Sequence, residues 1–398
     1  MKKMIARITA TMLGVSMTVM SVPAFADEIG TEEITEDVVL VKEEEAVLSL
    51  TCEDAVNLAL ENNTQLLAND AKITSASLSV EVAEEQTKEY KSLEKDLSKI
   101  PGVSMAINVS NGLEQAYLKH GYYLDAATVG YDLAVMEKEK TKSTIAYDVT
   151  QKYYNVKLME ELIEISETGL AIAKENAEIV KKNFELGYVS ELEVKNVENS
   201  VKSAEFSLES NKRNLEIATE SLKIALGIDT ENIKLVLTDE IVLPALPENV
   251  DEKIENAMLS RYDVTALRKS NELQSRYFEI TSAYMGKNTS AYNSAYSEYL
   301  LSEYTYQNSS KLIKLSLKND YAAILTAKDN ITTAENSLEI KQVEYDSAKI
   351  KYEMGMITNL ELTSKMVELD SCKVQLENTR LTYLLAVLKF DYNTTIGI

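Results

Sequence analysis

A hydroxyl residue followed three positions later by a glutamate occurs twice in matching surroundings. Ser190 and Glu193 lie in NFELGYVSELEV (183–194), and Thr358 and Glu361 lie in KYEMGMITNLEL (351–362). Such a pair is fitted to close a helix start, because the hydroxyl accepts from the third backbone N–H while the carboxylate reaches back to the first. Gly187 and Gly355, three residues before each cap, suit the left-handed position that ends a preceding helix. Reactive chemistry has far less to work with. His120 is the single histidine, so no histidine-based triad or metal cluster can be assembled. The many carboxylates are spread along helical stretches as a solvated face, and no glycine-rich phosphate loop is present. Cys52 and Cys372 are too few for a disulfide framework, and Cys372 falls on an apolar stripe as a small hydrophobe would. These residues predict a protein that is not an enzyme, with no cofactor and no metal site.

The elements that carry the two turns are long. The phrases are an internal repeat, with Glu185/Glu353, Gly187/Gly355, Leu192/Leu360 and Glu193/Glu361 identical and most other positions exchanged like for like. Four prolines and twelve glycines in 398 residues leave wide intervals without a helix breaker. A first helix is predicted from the cap at Thr51 to the stop at Pro101-Gly102, a second from about 131 to 186, and a third from Ser190 to Gly227. On the third, positions 197, 201, 204, 208, 211, 215, 218 and 222 alternate spacings of four and three. That is a coiled-coil seam, with Asn211 as its polar, register-fixing member. The second half repeats the plan: helix from Val250 to Gly286, a polar tyrosine-rich passage at 288–308, helix to Met354, and a last helix from Thr358 to about Asp391. Its stripe (369, 372, 376, 379, 383, 386, 390) lies 168 residues after its first-half counterpart. The helix starts are 198 apart and the turns 168 apart, so the first half carries a surplus of about 30 residues between its arms. One period-two stretch lies there, 103–110, and 121–135 admits loop, strand or helix. The expected division is a signal peptide (1–26), a flexible acidic arm (27–49), a first helical repeat (50–227, with short strands admitted within 103–135), a linker (228–249) and a second repeat (250–398).

Lys2, Lys3 and Arg7 precede an apolar stretch that ends in Ala24-Phe25-Ala26, the pattern of a cleaved secretory signal. The chain is therefore expected to be exported. Its formal charge of -23, made more negative by loss of those three basic residues, argues against nucleic-acid partners. No later apolar run is long enough to span a membrane as a helix.

In Glu53-Asp54-Ala55 to Leu66, Phe184 to Gly227 and Tyr352 to Gly397 the chain resembles the outer-membrane efflux protein family, the TolC-like proteins. The doubled phrase Phe/Tyr-x-x-Gly-x-x-Ser/Thr-x-x-Glu carries the likeness. The resemblance implies an all-α dominated fold of very long antiparallel coiled-coil helices in two tandem repeats, the protomer of an alpha-barrel. It further implies a homotrimer acting as a passive exit duct, joined by a periplasmic adaptor to an inner-membrane pump. Carried over, Leu186, Gly187, Tyr188, Met354, Gly355 and Met356 become the tip turns that the adaptor grips. Glu361, six positions after the second turn glycine, becomes an aperture gate, with Glu193 its first-half echo. Local capping accounts for both glutamates as well.

The family's other pole is a membrane β-barrel, which asks for strands of about 9 to 11 residues. The first half offers 103–110 and the second half offers none, so a reduced or absent barrel with at most a few short strands is expected. With a barrel the place is the outer membrane; without one it is the periplasm, the cell surface or the exterior. The rival to a duct is then a structural or interaction protein of the cell envelope that keeps the helical body without a pore.

Overall fold

The computed structural model describes residues 46–97, 99, 112–228 and 233–398, so the proposed signal peptide, most of the acidic arm and the alternating stretch 103–110 lie outside the described residues. The first repeat runs β1 (Ala46–Leu50), α1 (Cys52–Asn62), α2 (Thr64–Leu97), α3 (Gly112–Lys119), α4 (Tyr122–Glu185) and α5 (Glu191–Leu226). After β2 (Ile233–Leu237), the second repeat runs α6 (Val250–Ser260), α7 (Tyr262–Tyr284), α8 (Ser290–Glu353) and α9 (Asn359–Asn393). Helices α4 and α8 are each 64 residues long, about 96 Å at 1.5 Å per residue. Such helices have no core of their own and are held by partners alongside. α5 packs along α4 and α9 along α8; α2 and α7 flank the outer parts of the long helices, and α9 against α4 joins the repeats.

The seams follow the sequence stripes. Val197, Ala218 and Leu222 of α5 are buried, and Asn211 donates its amide to Ser166 Oγ on α4 at 2.7 Å, so the polar member of the seam is bonded across it. On α9, Leu369, Leu376, Thr379, Tyr383 and Phe390 are buried, chiefly against α6 and α8.

Five expectations need correction. The predicted helix from Thr51 is broken at Asn63 and the one from Val250 is broken at Arg261. Each break is clasped by the far end of its own repeat. Asn62 donates to the Leu226 carbonyl at 2.9 Å, and Gly227 (φ +67°) sits so close that a Cβ there would come within 2.8 Å of Asn62 Cβ. Arg261 donates to the Asn393 carbonyl at 2.6 Å, and a Cβ on Gly397 (φ +86°) would lie 3.0 Å from its guanidinium. Neither break is marked by proline or glycine, because its cause lies more than 100 residues away in the chain.

The end of the acidic arm and the linker are likewise not free of structure. β1 pairs in parallel with β2, Ala46 opposite Ile233 through Leu50 opposite Leu237. Tyr153, fully buried on α4, fastens the pair: its hydroxyl donates to the Leu50 carbonyl and accepts from the Asp239 N–H, both at 3.1 Å. Local pattern could not reveal a pairing across so many residues. The stretch 121–135, left open by its sequence, is helix from Tyr122 onward. The tyrosine-rich passage at 288–308 is also helix. Thr289 caps α8, and Tyr292, Tyr296 and Tyr299, at spacings of four and three, all contact Phe278 of α7. The first-repeat surplus is taken up by α2, 34 residues against 23 for α7, and by the passage through α3, opposite which α7 and α8 are joined by residues 285–289 alone.

Candidate functional site

Both long helices end in the same closed turn. In the first, Leu186 N–H donates to the Lys182 carbonyl (3.1 Å), Gly187 N–H to Phe184 (2.9 Å) and Tyr188 N–H to Asn183 (2.8 Å). In the second, Met354 donates to Ile350 (3.1 Å), Gly355 to Tyr352 (2.9 Å) and Met356 to Lys351 (2.8 Å). This is the bonding of a Schellman turn, which requires the glycine to take positive φ; Gly187 has +79° and Gly355 +71°. The next helix then restarts through a capping box. Ser190 Oγ accepts from Glu193 N–H (3.4 Å) while Glu193 Oε2 accepts from Ser190 N–H (3.1 Å). Thr358 Oγ1 accepts from Glu361 N–H (3.3 Å) while Glu361 Oε2 accepts from Thr358 N–H (2.8 Å). The backbone bond first, and the Thr358 hydroxyl second, hold the Glu361 carboxyl below its ordinary range. Each carboxylate thus commits Oε2 to its own cap, and the exposed Glu361 keeps contact with solvent.

The chain reversal throws the turn side chains outward. Leu186 is 67 % and Tyr188 78 % exposed; Met354 and Met356 are 58 % and 69 % exposed, and Leu192 and Leu360 accompany them. Two large apolar residues around each glycine, followed by a leucine at the second helical position, make a matching pair of apolar knobs. A turn that served only to reverse the chain would be satisfied by polar residues there.

Behind the knobs the two tips differ. Val180 and Val197 are buried beneath the first, with Val189 and Val194 packed on them. Beneath the second, Lys341 Nζ reaches Glu344 (3.0 Å) and Glu368 (2.8 Å), and Lys365 Nζ reaches the same two carboxylates (3.0 and 3.1 Å). This square lies across the α8–α9 seam. Its hydrogen bonds hold both carboxyls below, and both ammonium groups above, their ordinary values. The equivalent first-repeat positions, 168 residues earlier, are Ala173, Asn176, Val197 and Ser200. The sequence signal for the square was a lysine and a glutamate three apart on each of two facing helices; it becomes legible only once the pairing of the helices is known.

Both cysteines are free and half-buried, and burial pushes the Cys52 thiol up, against thiolate formation. Among the described residues no group of three or more His, Cys, Asp or Glu side chains is placed to hold a metal ion, and no helix is long and apolar enough to cross a membrane.

No curated protein matches the sequence significantly. Among solved structures, the CmeC outer membrane channel of Campylobacter jejuni is similar over 93 % of this chain and 95 % of its own, at 14 % identity and a TM-score of 0.64. VceC, an outer membrane protein of Vibrio cholerae, is similar over 87 % and 96 %, at 14 % identity and 0.67. CusC, whose structures concern folding and transmembrane channel formation, is similar over 87 % and 92 %, at 13 % identity and 0.71. At such identities the likeness establishes the fold, an all-α dominated TolC-like protomer. The outer membrane efflux protein family model matches residues 119–228 and 278–389, which takes in both tips, both seams and more than half of the sequence, and the chain therefore belongs to that family.

Proposed function

We propose that this protein is the exit-duct component of an efflux assembly, passively exporting small molecules or peptides in company with a periplasmic adaptor and an inner-membrane pump. The observation that carries the reading is the duplicated tip: two arms about 96 Å long, each ending in the same glycine turn with exposed apolar residues on it. In this reading Leu186, Gly187 and Tyr188 with Met354, Gly355 and Met356 form the adaptor-docking surface, since apolar side chains at a rigid reversal are what a partner hairpin can cover. Glu361 and Glu193 sit at the aperture of a homotrimer, where carboxylates favour cations and oppose anions. The leader at 1–26 sends the chain out of the cytoplasm, and the repeats at 50–227 and 250–398 supply the staves of the barrel.

A second reading has its own support. α7 and α8 are joined by five residues, 285–289, so the second repeat, described throughout, contributes no membrane strand. A barrel strand needs about 9 to 11 residues and a bacterial barrel at least eight strands. This favours a helical envelope protein that keeps the family's body without its barrel.

Mass measurement with and without detergent, followed by conductance across a lipid bilayer, separates the two. A trimer that conducts supports the duct. A detergent-independent monomer without conductance supports the rival. For the docking surface, Leu186→Glu and Met354→Glu should each lower adaptor cross-linking at least several-fold without changing helix content; unchanged cross-linking would remove the tips from the reading.

A further inference from the structure

Leu158, Leu162, Leu381 and Leu384 form a buried layer where α4 meets α9. Next to it, the linker segment 241–243 closes over a cavity of about 630 Å³ whose walls carry Glu161 of α4 and Glu377 of α9. Oε2 of Glu161 is buried there and meets no hydrogen-bond donor. The nearby cations are already engaged. On α9, Arg380 gives Nη1 to Glu377 (3.0 Å) and reaches Glu335 of α8 with Nη2 (3.6 Å), while its buried Nε meets no acceptor, and Lys373 is held by Asp370 (3.1 Å). On α4 itself, Lys157 is held by Glu160 (2.9 Å); Lys212 of α5 is held by Glu167 (3.6 Å). Glu164 of α4 and the linker's exposed Glu240 add only negative charge. Two carboxyl groups from different repeats therefore share a partly dry site whose guanidinium is bonded to Glu377 and leaves Glu161 Oε2 unmet. Such a pair cannot carry two charges cheaply, and the missing donor for Glu161 Oε2 is supplied when one proton stays between them.

We propose that Glu161 and Glu377 share a proton across the α4–α9 seam and so act as a pH-operated fastener between the two repeats, closed while the proton is held and loosened when it leaves through the open cavity. The sign follows from the surroundings. Burial first, and the Glu377 carboxyl second, push Glu161 up to about 7. Between the ordinary carboxylate value and that point the native chain holds a proton that the unfolded chain has lost, so the seam weakens as pH rises through this window. The fastener is closed on the acidic side of neutrality and open on the alkaline side, opposite to the response of a paired carboxylate.

The test uses the full chain. Hydrogen exchange in peptides covering 155–168 and 373–384, corrected for the intrinsic effect of pH on exchange, is compared at pH 6 and pH 8. In the wild type the corrected rates should rise on the order of tenfold or more over that interval. In Glu161→Gln the rise should vanish, because a carboxamide donates to Glu377 at both pH values; Glu377→Gln serves the same purpose from the other repeat. Glu164→Gln removes a charge from the same cavity but not from the pair, and should keep the wild-type response. An equal rise in the wild type and both pair variants, or its loss in Glu164→Gln as well, overturns the proposal.

Discussion

Glu361 is tied to Thr358 by a reciprocal pair of hydrogen bonds on an exposed surface, and its depressed pKa fixes the direction of its pH response. A carboxyl whose folded value lies below its unfolded one contributes stability above the ordinary carboxylate range and loses it as pH falls through the folded value. The second tip should therefore fray at acid pH, seen as faster exchange of the 356–362 amides below about pH 4. Thr358→Ala should give that fast exchange already at neutral pH. Acid-insensitive exchange in the wild type would mean that the box does not hold the turn. The turn glycines obey a different constraint. A Cβ at Gly187 or Gly355 meets no atom within 4 Å, so the obstacle to substitution is φ alone. Gly187→Ala should cost about 1 to 2 kcal/mol of local stability through left-handed backbone strain. Gly355→Val should cost more, since a β-branched residue tolerates that region worst.

At the scale of elements, Asn211 shows what the seam is for. Its amide spans to Ser166 Oγ, and a leucine in its place would pack with the rest of the stripe while forfeiting that bond. Asn211→Leu should leave thermal stability within about 1 kcal/mol of wild type but broaden the register of α5 against α4. Disulfide trapping between cysteines introduced one turn out of register along the two helices would detect this; cross-links confined to the native register would argue against a register role. The seam was legible in the sequence because each contact recurs at spacings of three and four along one helix, and the tips because every residue they need lies within twelve positions. What stayed hidden depends on distance along the chain. The breaks at Asn63 and Arg261 are made by Leu226 and Asn393, the β1 strand exists only because Ile233–Leu237 lies beside it, and Glu161 looks like any other surface glutamate until Glu377 arrives from 216 residues away. The tyrosines at 292, 296 and 299 carry a helical spacing, but their polarity hides a stripe whose partner, Phe278, lies on another helix.

For the whole molecule, the two clasps at Asn62–Gly227 and Arg261–Gly397 fasten the end of each repeat to the break between its first two helices, partway along the long helix. Arg261 is the stricter of the two, being buried, paired with Asp263 at 2.8 Å and bonded to the Asn393 backbone. Arg261→Ala should cost on the order of 3 kcal/mol or more and release the C-terminal residues, read as protease sensitivity confined to 390–398. Arg261→Lys should recover only part of this, since an ammonium cannot make the forked contact. The equal length of α4 and α8 has a mechanical consequence. A rigid rod of 64 residues is a gauge: one inserted residue would lift its tip by about 1.5 Å and swing every side chain beyond it by about 100°. Two gauges carried by one chain stay level only if both change together, and only in steps near seven residues, where two full turns bring the stripe back to its partner. The reach of this protein is thus quantised, and any change in the gap it spans must arrive as matched two-turn insertions in both arms and in the helices packed along them.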